Sequence, residues 1–432
     1  LDASIAALRA VQPAWRRLPV AERGHALRAL SQQLLAHADE LAGLISSEVG
    51  KLLAECRAEV EKSAKLCHYY ADLAPELLAT QEIPTLASRS GVSFEPLGLV
   101  LAVMPWNFPI WQVFRFLAPG LMAGNVAVLK HATNVPRCAD AIARVLHEAG
   151  VPRDVMACLI GTGEVGTALL AQKIDGVFFT GSVATGRKIA QAVGGRFIKL
   201  QLELGGKDPT YVADDADPKT AAESLADGAM YNTGQSCCSV ERIYVHEKIH
   251  DDFVKHFVET VKGFKAGDPM SDGTYIGAIT RAPQLDVLDA QVADAKAKGA
   301  QLLVGGARGA GPGNWFDATV FSGVNHDMEL MKEESFGPII GIQKVSGDAE
   351  AVKLMNDTHY GLTAGVYTRD ESRAQALLEQ VNAGSVYWNC CDRVSPRLPW
   401  SGHGDSGVGL TLSTYGIQTF TRPKAWHLKS PG

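Results

Sequence analysis

An alternation of short apolar runs with helical periodicity, beginning at residue 97, constrains the fold more than any other feature of the chain. Residues 97–103 (LGLVLAV) are continuously apolar, which is typical of a strand buried on both faces of a parallel sheet. Further strands are predicted at 126–129, 155–160 and 176–179, separated by helices at 135–149, 164–172 and 184–194. This βαβα order predicts a doubly wound sheet that binds a nucleotide.

A second alternating unit begins after Gly205-Gly206. Its predicted strands are 242–246, 301–304, 339–345, 363–368 and 385–388, and its predicted helices are 218–231, 247–263, 283–298, 348–356 and 370–382. Ahead of both units, helical spacing of apolar residues at 21–47 and 51–79 predicts a scaffold layer of two helices. We therefore expect an α/β protein, and 432 residues are enough for two or three domains.

Composition excludes several classes of function. The net charge of −6, with 20% charged residues of both signs, does not indicate a nucleic-acid or polybasic membrane surface. No run of about 18 apolar residues predicts a membrane span, and the first residues carry no secretory pattern. The eight cysteines form no Cys-x-x-Cys pair, and the histidine spacing offers no metal set. A reducing cytoplasm and no bound metal are expected.

The stretch 231–238 (YNTGQSCC) is the candidate site of chemistry. Cys237 follows a Gly-Gln-Ser turn after a predicted helix, an arrangement that can lift a thiol into a cleft. Helix N-termini and nearby backbone amides can lower a thiol pKa from about 8.5 toward neutrality. The alternative is that a free cysteine is a small buried hydrophobe, and we keep that interpretation for Cys238.

Two other polar residues occupy positions that suit the needs of such a thiol. Asn107, between two prolines after the first strand, can donate a side-chain amide to an oxyanion, although it could instead satisfy its own turn. Glu203 ends a predicted buried strand, where burial is expected to raise its pKa toward the range of a general base. The alternative for Glu203 is a salt bridge with Lys199 or Lys207.

Four short stretches occur together in one order: 105–109 (PWNFP), 202–207 (LELGGK), 231–238 and 333–338 (EESFGP). With them the chain resembles the NAD(P)-dependent aldehyde dehydrogenase superfamily, and is nearest to its short succinate-semialdehyde-dehydrogenase-like members. The resemblance implies the aldehyde dehydrogenase fold, which has a doubly wound nucleotide-binding sheet, a second α/β catalytic domain and a small β oligomerisation arm. The implied boundaries are 1–78 and 97–205 for the dinucleotide-binding domain, 206–405 for the catalytic domain, and 79–96 with 415–432 for the arm.

The resemblance implies that an aldehyde is oxidised to a carboxylic acid with NAD or NADP. Cys237 attacks the aldehyde, Asn107 and the Cys237 N–H hold the oxyanion, and Glu203 activates the water that hydrolyses the thioester. Three alternatives stay open: a broad-range or aromatic aldehyde dehydrogenase, a CoA-acylating dehydrogenase and an inactive structural homologue. The resemblance also implies a homodimer or homotetramer in which the arms pair between subunits.

Two glycine-rich turns compete for the dinucleotide phosphates. Residues 161–166 match G-x-G-x-x-G, but no acidic residue ends a strand about 20 residues later. The turn at 179–186 resembles the family's pyrophosphate turn, and we favour it. Thr133 stands where many NAD-preferring members have a glutamate, so the choice between NAD and NADP stays open. The cofactor residues that we predict are Trp106, Lys130, Thr133, Gly163, Gly181, Ser182, Gly186, Leu204, Glu334 and Phe336.

Arg115 and Trp111 lie one helical turn apart and are predicted to face the substrate together. The resemblance implies that Arg115 binds the carboxylate of a small acidic semialdehyde such as succinate semialdehyde. The family's second arginine is replaced by Tyr231, and Ser395 matches its carboxylate-binding serine loosely. Cys390 and Cys391 receive no role. Arg393 and Arg397 could supply the missing contact or be solvated charges, and Trp111, Phe114 and Trp400 could instead line a tunnel for an uncharged or aromatic aldehyde.

Overall fold

A computed structural model describes residues 1–431. The α-helices of these residues are α1 (Asp2–Arg17), α2 (Val20–Ala36), α3 (Ala38–Val49), α4 (Leu53–Leu77), α5 (Trp111–Met122), α6 (Pro136–Glu148), α7 (Gly163–Leu170), α8 (Val183–Val193), α9 (Pro218–Met230), α10 (His250–Gly263), α11 (Ala282–Ala297), α12 (Asp348–Met355), α13 (Glu371–Leu378) and α14 (Ser413–Gln418). The strands are β1 (Gln81–Glu82), β2 (Arg89–Pro96), β3 (Leu99–Met104), β4 (Val126–His131), β5 (Met156–Cys158), β6 (Gly176–Thr180), β7 (Lys199–Glu203), β8 (Pro209–Val212), β9 (Arg242–His246), β10 (Gln301–Val304), β11 (Thr319–Ser322), β12 (Ile339–Val345), β13 (Thr363–Tyr367), β14 (Ser385–Trp388), β15 (Gly407–Val408) and β16 (Thr421–Leu428).

The first alternating unit forms a six-stranded sheet in the order β15-β7-β6-β3-β4-β5. Its neighbours are parallel, except that β15 joins β7 antiparallel. The chain starts in the middle at β3, moves outward through β4 and β5, and then crosses to β6 and β7 on the other side. Such a reversal opens a crevice at the carboxyl ends of the strands. The predicted doubly wound sheet is confirmed.

The second unit forms a seven-stranded sheet in the order β10-β11-β12-β9-β8-β13-β14, parallel apart from the β10–β11 pair. The predicted strand 242–246 coincides with β9, whereas β8 and β11 were not predicted. The stretches 231–238 and 333–338 lead directly into β9 and β12. They therefore carry their side chains to the end of this sheet where those two strands begin.

A helical layer supports the first sheet. Leu27, Leu30 and Leu34 are completely buried on one face of α2, in accordance with the predicted stripe. The single helix predicted over 21–47 is two helices, because His37 departs from helical geometry (φ −101°, ψ 16°) between α2 and α3. The α4 helix continues this layer and packs against α5, which brings residues 58–62 beside the loop that follows β3.

A small third sheet consists of β1, β2 and β16. β2 and β16 pair antiparallel along their whole lengths, from Thr421 opposite Pro96 to Leu428 opposite Arg89. Most of β16 is exposed, so this pair projects from the body of the protein. The three sheets correspond to the three predicted units, and the domain boundaries stay a prediction. Within residues 1–431, no helix has both the length and the apolar character that a membrane span requires.

Candidate active site

The turn before Cys237 has an unusual backbone. Asn232, Thr233 and Gly234 all have positive φ angles, of 50°, 56° and 70°. At Gly234 this conformation coincides with a close approach, since a Cβ there would collide with the backbone carbonyl of Gly337. The turn therefore packs directly against the 333–338 loop. It leaves Cys237 half-buried, whereas Cys238 is buried and its thiol lies 2.9 Å from Oδ1 of Asp392.

Asn107 is tied to this turn from the other domain. Its Nδ2 donates to the carbonyl of Gln235 over 3.1 Å, and its own carbonyl accepts from Nδ2 of Asn232 over 3.2 Å. One hydrogen of the Asn107 amide is thus used and the other has no partner among residues 1–431. A primary amide carries two donors, so the remaining one is available to an oxyanion.

His131 fixes the loop that carries Asn107. Its Nδ1 accepts from the Ala132 N–H over 2.9 Å, so its Nε2 carries the proton and donates to the Pro109 carbonyl, also over 2.9 Å. Burial lowers the pKa of His131 to about 4, so the ring is neutral at physiological pH. A neutral histidine at the end of β4 thereby fixes the position of the Asn107 loop.

Glu203 is held by three side chains. Its Oε1 accepts from the Thr411 hydroxyl over 2.7 Å and from Gln201 Nε2 over 3.0 Å. Its Oε2 forms a buried ion pair with Arg115. The predicted alternative of a bridge to Lys199 or Lys207 is wrong in its partner, because Lys207 pairs with Glu241 over 2.5 Å and Lys199 is exposed.

Arg115 is therefore held through one nitrogen of its guanidinium, Nη2. Besides the Glu203 pair, its Nη2 donates to Oε1 of Gln112 over 2.6 Å. The prediction that Trp111 and Arg115 share a face agrees with the structure, because both line the same cavity. Whether Arg115 also binds a substrate carboxylate stays a prediction, since Nη2 makes both of these contacts whereas Nε is buried without a hydrogen-bond partner in residues 1–431.

Two cavities meet at Cys237. The larger, of about 610 Å³, opens along the carboxyl ends of the first sheet and also contains Asn107 and Glu203. The smaller, of about 210 Å³, lies between α4, α5, α9 and the 391–394 segment. Cys237 and Gln112 line both cavities. A thiol at this position can react with one molecule from the smaller cavity while a second molecule occupies the larger one.

The larger cavity suits a dinucleotide. Gly181, Ser182 and Thr185 line it where α8 begins, so the unpaired N–H groups of a helix N-terminus open on it. Lys130 and Asn134 also line it, and Nδ2 of Asn134 is buried without a hydrogen-bond partner in residues 1–431. An orphaned donor in a cavity that an ammonium also lines is an arrangement that an anionic ligand completes.

The predicted cofactor residues divide into two groups. Those that line the larger cavity are Trp106, Lys130, Thr133, Gly163, Gly181, Ser182, Leu204, Glu334 and Phe336. Gly186 does not line it. A Cβ at Gly186 would come within 2.6 Å of Leu204 Cδ2, so this glycine allows α8 to pack against the end of β7. Its role is packing, and it positions Leu204 rather than contacting a ligand.

The 334–336 loop is anchored beneath the cavity. Glu241 accepts from the backbone N–H groups of Ser335, at 2.9 Å, and Phe336, at 3.1 Å. The Phe336 ring meets the Trp106 ring edge-on, with centroids 5.7 Å apart. Burial raises the pKa of Glu334 to about 8, and its Oε1 accepts from the Gly206 N–H over 3.2 Å. The loop thus presents a carboxyl group and an aromatic ring to the cavity.

The smaller cavity is lined by aromatic and charged side chains. Glu59 supports it from below, since its Oε1 accepts from the N–H groups of Ile110 and Trp111 at the start of α5 and its Oε2 pairs with Lys51 over 2.8 Å. Ser395 does not line this cavity. It lies in a neighbouring depression and its Oγ accepts from the Arg397 N–H over 3.2 Å, so this predicted substrate residue stands outside the cavity that contains Cys237.

Comparisons with known proteins identify the group to which this architecture belongs. The model of the aldehyde dehydrogenase family matches residues 1–426. The chain belongs to the aldehyde dehydrogenase family. It is 38% identical over 430 residues to a succinate-semialdehyde dehydrogenase of Mycobacterium tuberculosis whose name specifies NADP+, covering 98% of this chain and 94% of that protein. It is 38% identical over 410 residues to an Escherichia coli succinate semialdehyde dehydrogenase named for NAD(P)+, covering 94% and 88%.

A solved structure gives the same result. The succinic semialdehyde dehydrogenase of Streptococcus pyogenes in complex with NADP+ superimposes with a TM-score of 0.96 at 32% identity, covering 99% of this chain and 95% of that one. The predicted family, fold and enzyme class are confirmed: this protein is an NAD(P)-dependent aldehyde dehydrogenase.

Several residues of this aldehyde dehydrogenase site were not predicted. Gln112, which lines both cavities and bonds Arg115, stood between two predicted residues without a signal of its own. His131 follows the predicted Lys130 and was given no role, although a histidine at a buried strand end points to a hydrogen-bonding role. Thr411 and Gln201, which hold Glu203, have no sequence feature that connects them with it. Lys62 was hidden in a helix that was assigned no chemistry.

Proposed function

We propose that this aldehyde dehydrogenase oxidises a short aldehyde with a distal carboxylate, of which succinate semialdehyde is the representative, to a dicarboxylate. The observation that carries the proposal is the position of Cys237 at the meeting of two cavities. The smaller cavity, with Lys62 within it and Arg393 at its rim, favours an anionic group at the end remote from the thiol. The names of the M. tuberculosis, E. coli and S. pyogenes relatives support the same substrate.

In the proposed reaction the thiolate of Cys237 forms a bond to the aldehyde carbon. The resulting oxyanion accepts the unused hydrogen of Asn107 and the Cys237 N–H, which are fixed before the substrate arrives and therefore stabilise the charge without reorganisation. The bound dinucleotide supplies the hydride acceptor, after which the acyl group remains on Cys237 as a thioester.

Glu203 is proposed to accept the proton of the hydrolytic water. Its Oε1 is occupied by Thr411 and Gln201, whereas Oε2 accepts only from Arg115 and keeps a second lone pair. Because Glu203 lines the larger cavity, a water there can reach this oxygen. Hydrolysis then releases the carboxylic acid and regenerates the thiol. A base at this position is unnecessary if CoA takes the acyl group, which weighs against the CoA-acylating alternative.

We propose NADP+ as the preferred cofactor. Lys130, Thr133 and Asn134 line one end of the larger cavity, and the carboxylates that line the cavity, Glu203 and Glu334, belong to other segments. A ribose 2′-phosphate would find an ammonium and an orphaned amide there, with no carboxylate of that segment to repel it. Thr133→Glu is expected to shift the ratio of kcat/KM from NADP+ toward NAD+ by about tenfold or more, since a like charge beside the phosphate is unfavourable.

The decisive test compares the two adjacent cysteines. Cys237→Ala is expected to abolish formation of reduced nicotinamide from succinate semialdehyde and to leave the quenching of tryptophan fluorescence by NADP+ unchanged. Cys238→Ala is the neighbouring control and should keep most of the activity, because the Cys238 thiol is buried and donates to Asp392 rather than serving as the nucleophile. Turnover by Cys237→Ala at the wild-type rate would refute the nucleophile, and a requirement for added CoA would favour the acylating alternative.

Assembly and location complete the proposal. We propose a homodimer or homotetramer in which β16 and β2 of one subunit extend to another, because this exposed pair projects from the body of the protein. We propose that the enzyme works in the cytoplasm, since its cysteines are free thiols. Light scattering of the purified protein, with and without residues 421–428, tests the assembly.

A further inference from the structure

Lys62, on α4, extends into the smaller cavity and its charge has no partner. Within residues 1–431, no carboxylate oxygen lies within 4.0 Å of its nitrogen and no atom accepts a hydrogen bond from it. The ammonium lies over the Trp111 ring, 4.3 Å from the ring centroid. A half-buried cation without an acceptor is uncommon, since buried charges are normally paired.

Most other ionised groups of this cavity have at least one hydrogen-bond or ion-pair partner. Asp392 accepts from the Cys238 thiol, Asp227 accepts from the Tyr275 hydroxyl, and Glu59 is paired with Lys51. Arg115 is bound to Glu203 and Gln112, as described above. Arg393 is exposed at the rim, where water solvates it. The Nε of Arg115 is also without a partner, but its Nη2 is held by Glu203 and Gln112. Lys62 differs from these groups in being partly withdrawn from water with no hydrogen-bond or ion-pair partner for any of its donors.

The surroundings of Lys62 favour an anion as the missing partner. Burial lowers its pKa, while the charge of Asp392 opposes that shift. The Trp111 ring offsets part of the desolvation cost through a cation–π contact, but a ring cannot accept the directional hydrogen bonds of an ammonium. A carboxylate on a ligand in the cavity can accept them, and such charge-assisted bonds are about twice as strong as neutral ones.

We propose that Lys62 binds the distal carboxylate of the substrate and so determines the preference for ω-carboxylated aldehydes. The inference rests on the proposed function and assigns its specificity to a residue other than Arg115. Trp111 holds the ammonium toward the cavity, and Arg115 is left to position Glu203. The carboxylate end of the aldehyde then lies beside α4, and its carbonyl end points toward Cys237 at the other side of the same cavity.

The test compares two four-carbon aldehydes, succinate semialdehyde and butanal, in the intact enzyme. Lys62→Met is expected to raise KM for succinate semialdehyde roughly ten- to a hundredfold, the range for losing one hydrogen bond to a charged group. The kcat for this substrate and the KM for butanal should stay within about twofold, because Lys62 touches neither Cys237 nor Glu203. Lys62→Arg should keep most of the preference, since a guanidinium also stacks on tryptophan and binds carboxylates.

Two further measurements separate binding from structure. Succinate should inhibit the wild-type enzyme competitively, and Lys62→Met should raise its inhibition constant by the same factor as the KM. Lys65→Met is the matched control on the same helix, because Lys65 is exposed and does not line this cavity. It should leave both constants unchanged. The melting temperature of Lys62→Met should not fall, because the variant removes a charge that has no partner.

The outcomes distinguish the two proposals. If the wild-type enzyme does not prefer succinate semialdehyde to butanal, the proposed substrate class is wrong and the role of Lys62 falls with it. If the wild type shows the preference and Lys62→Met retains it, the substrate class stands and the role of Lys62 is refuted. An equal rise in KM for both aldehydes would also refute it, since it would indicate a structural effect.

Discussion

The buried pair of Arg115 and Glu203 leads to a prediction that separates a structural cation from a substrate-binding one. Arg115→Met keeps most of the side-chain volume but leaves Glu203 with no cation while Thr411 and Gln201 still hold it. We expect the variant to lose stability and to lose activity toward charged and neutral aldehydes by similar factors. If Arg115 instead bound the substrate carboxylate, the variant would lose activity toward the acidic aldehyde alone.

The size of the effect follows from the burial of both partners, whose side chains are 3% and 5% exposed. Removing one member of a buried ion pair costs about 3–5 kcal/mol, because the other charge stays buried and uncompensated. An unfolding entropy of about 2.1 cal/mol/K per residue gives roughly 0.9 kcal/mol/K for 432 residues. A loss of about 4 kcal/mol therefore corresponds to a melting temperature lower by about 4 °C.

Thermal unfolding followed by near-ultraviolet circular dichroism measures this shift for four proteins: the wild type, Arg115→Met, Glu203→Met and the double variant. The double variant should recover part of the stability, because two apolar side chains of similar volume leave no uncompensated charge. Steady-state kinetics of Arg115→Met with succinate semialdehyde and butanal completes the test. A melting temperature within 1 °C of the wild type, or a loss confined to KM for succinate semialdehyde, would refute the reasoning.

Three other substitutions test separate features. Gly234→Ala should abolish activity and lower the melting temperature by several degrees, because position 234 has a φ of 70° and its Cβ would strike the Gly337 carbonyl; wild-type activity would contradict this. Burial raises the pKa of Glu334 to about 8, so this side chain ionises as pH rises from 7 to 9. An ionised carboxylate accepts hydrogen bonds from a bound dinucleotide more strongly than a protonated one, so the dissociation constant of NADP+, measured by fluorescence, should fall over this range in the wild type and stay flat in Glu334→Gln. Burial also raises the pKa of Glu55 from 4.5 to about 7, so the folded state retains a proton that the unfolded state has already lost. The free energy of unfolding should therefore fall as pH rises from 4.5 to about 7. Glu55→Gln should weaken that fall by about 3 kcal/mol in urea unfolding at pH 8, and an unchanged pH profile would exclude Glu55 as its source.

The parts of the fold that the sequence predicted are those governed by local periodicity. The strand at 242–246 and the helix α9 have strong apolar patterns with clear ends, so the prediction and the structure agree within a residue. The break at His37 has no glycine or proline to mark it, which explains why 21–47 was predicted as one helix. β8 is only four residues long and begins at a proline, and its place in the middle of a sheet depends on partners far along the chain.

The same distinction applies to the site. Cys237, Asn107 and Glu203 stand in short stretches whose order is recognisable, so their residue types could be selected without coordinates. The hydrogen bonds and ion pairs that these groups make involve side chains far away along the chain. Thr411, near the C-terminus, holds Glu203, and Arg115 turned out to be bound to it; neither contact leaves a local pattern. Sequence reasoning therefore selected the proposed reacting groups and missed the residues that orient them.

The antiparallel pairing of β15 with β7 has a consequence for synthesis of the protein. The strand that ends in Glu203 gains its last neighbour, and the carboxylate gains its hydroxyl donor, only when residues 407–411 have been translated and have folded back. A nascent chain that already contains every reacting group would still lack that support. Ribosome-bound chains halted before residue 407 should consequently be catalytically poor, because Glu203 lacks the hydroxyl group that orients it.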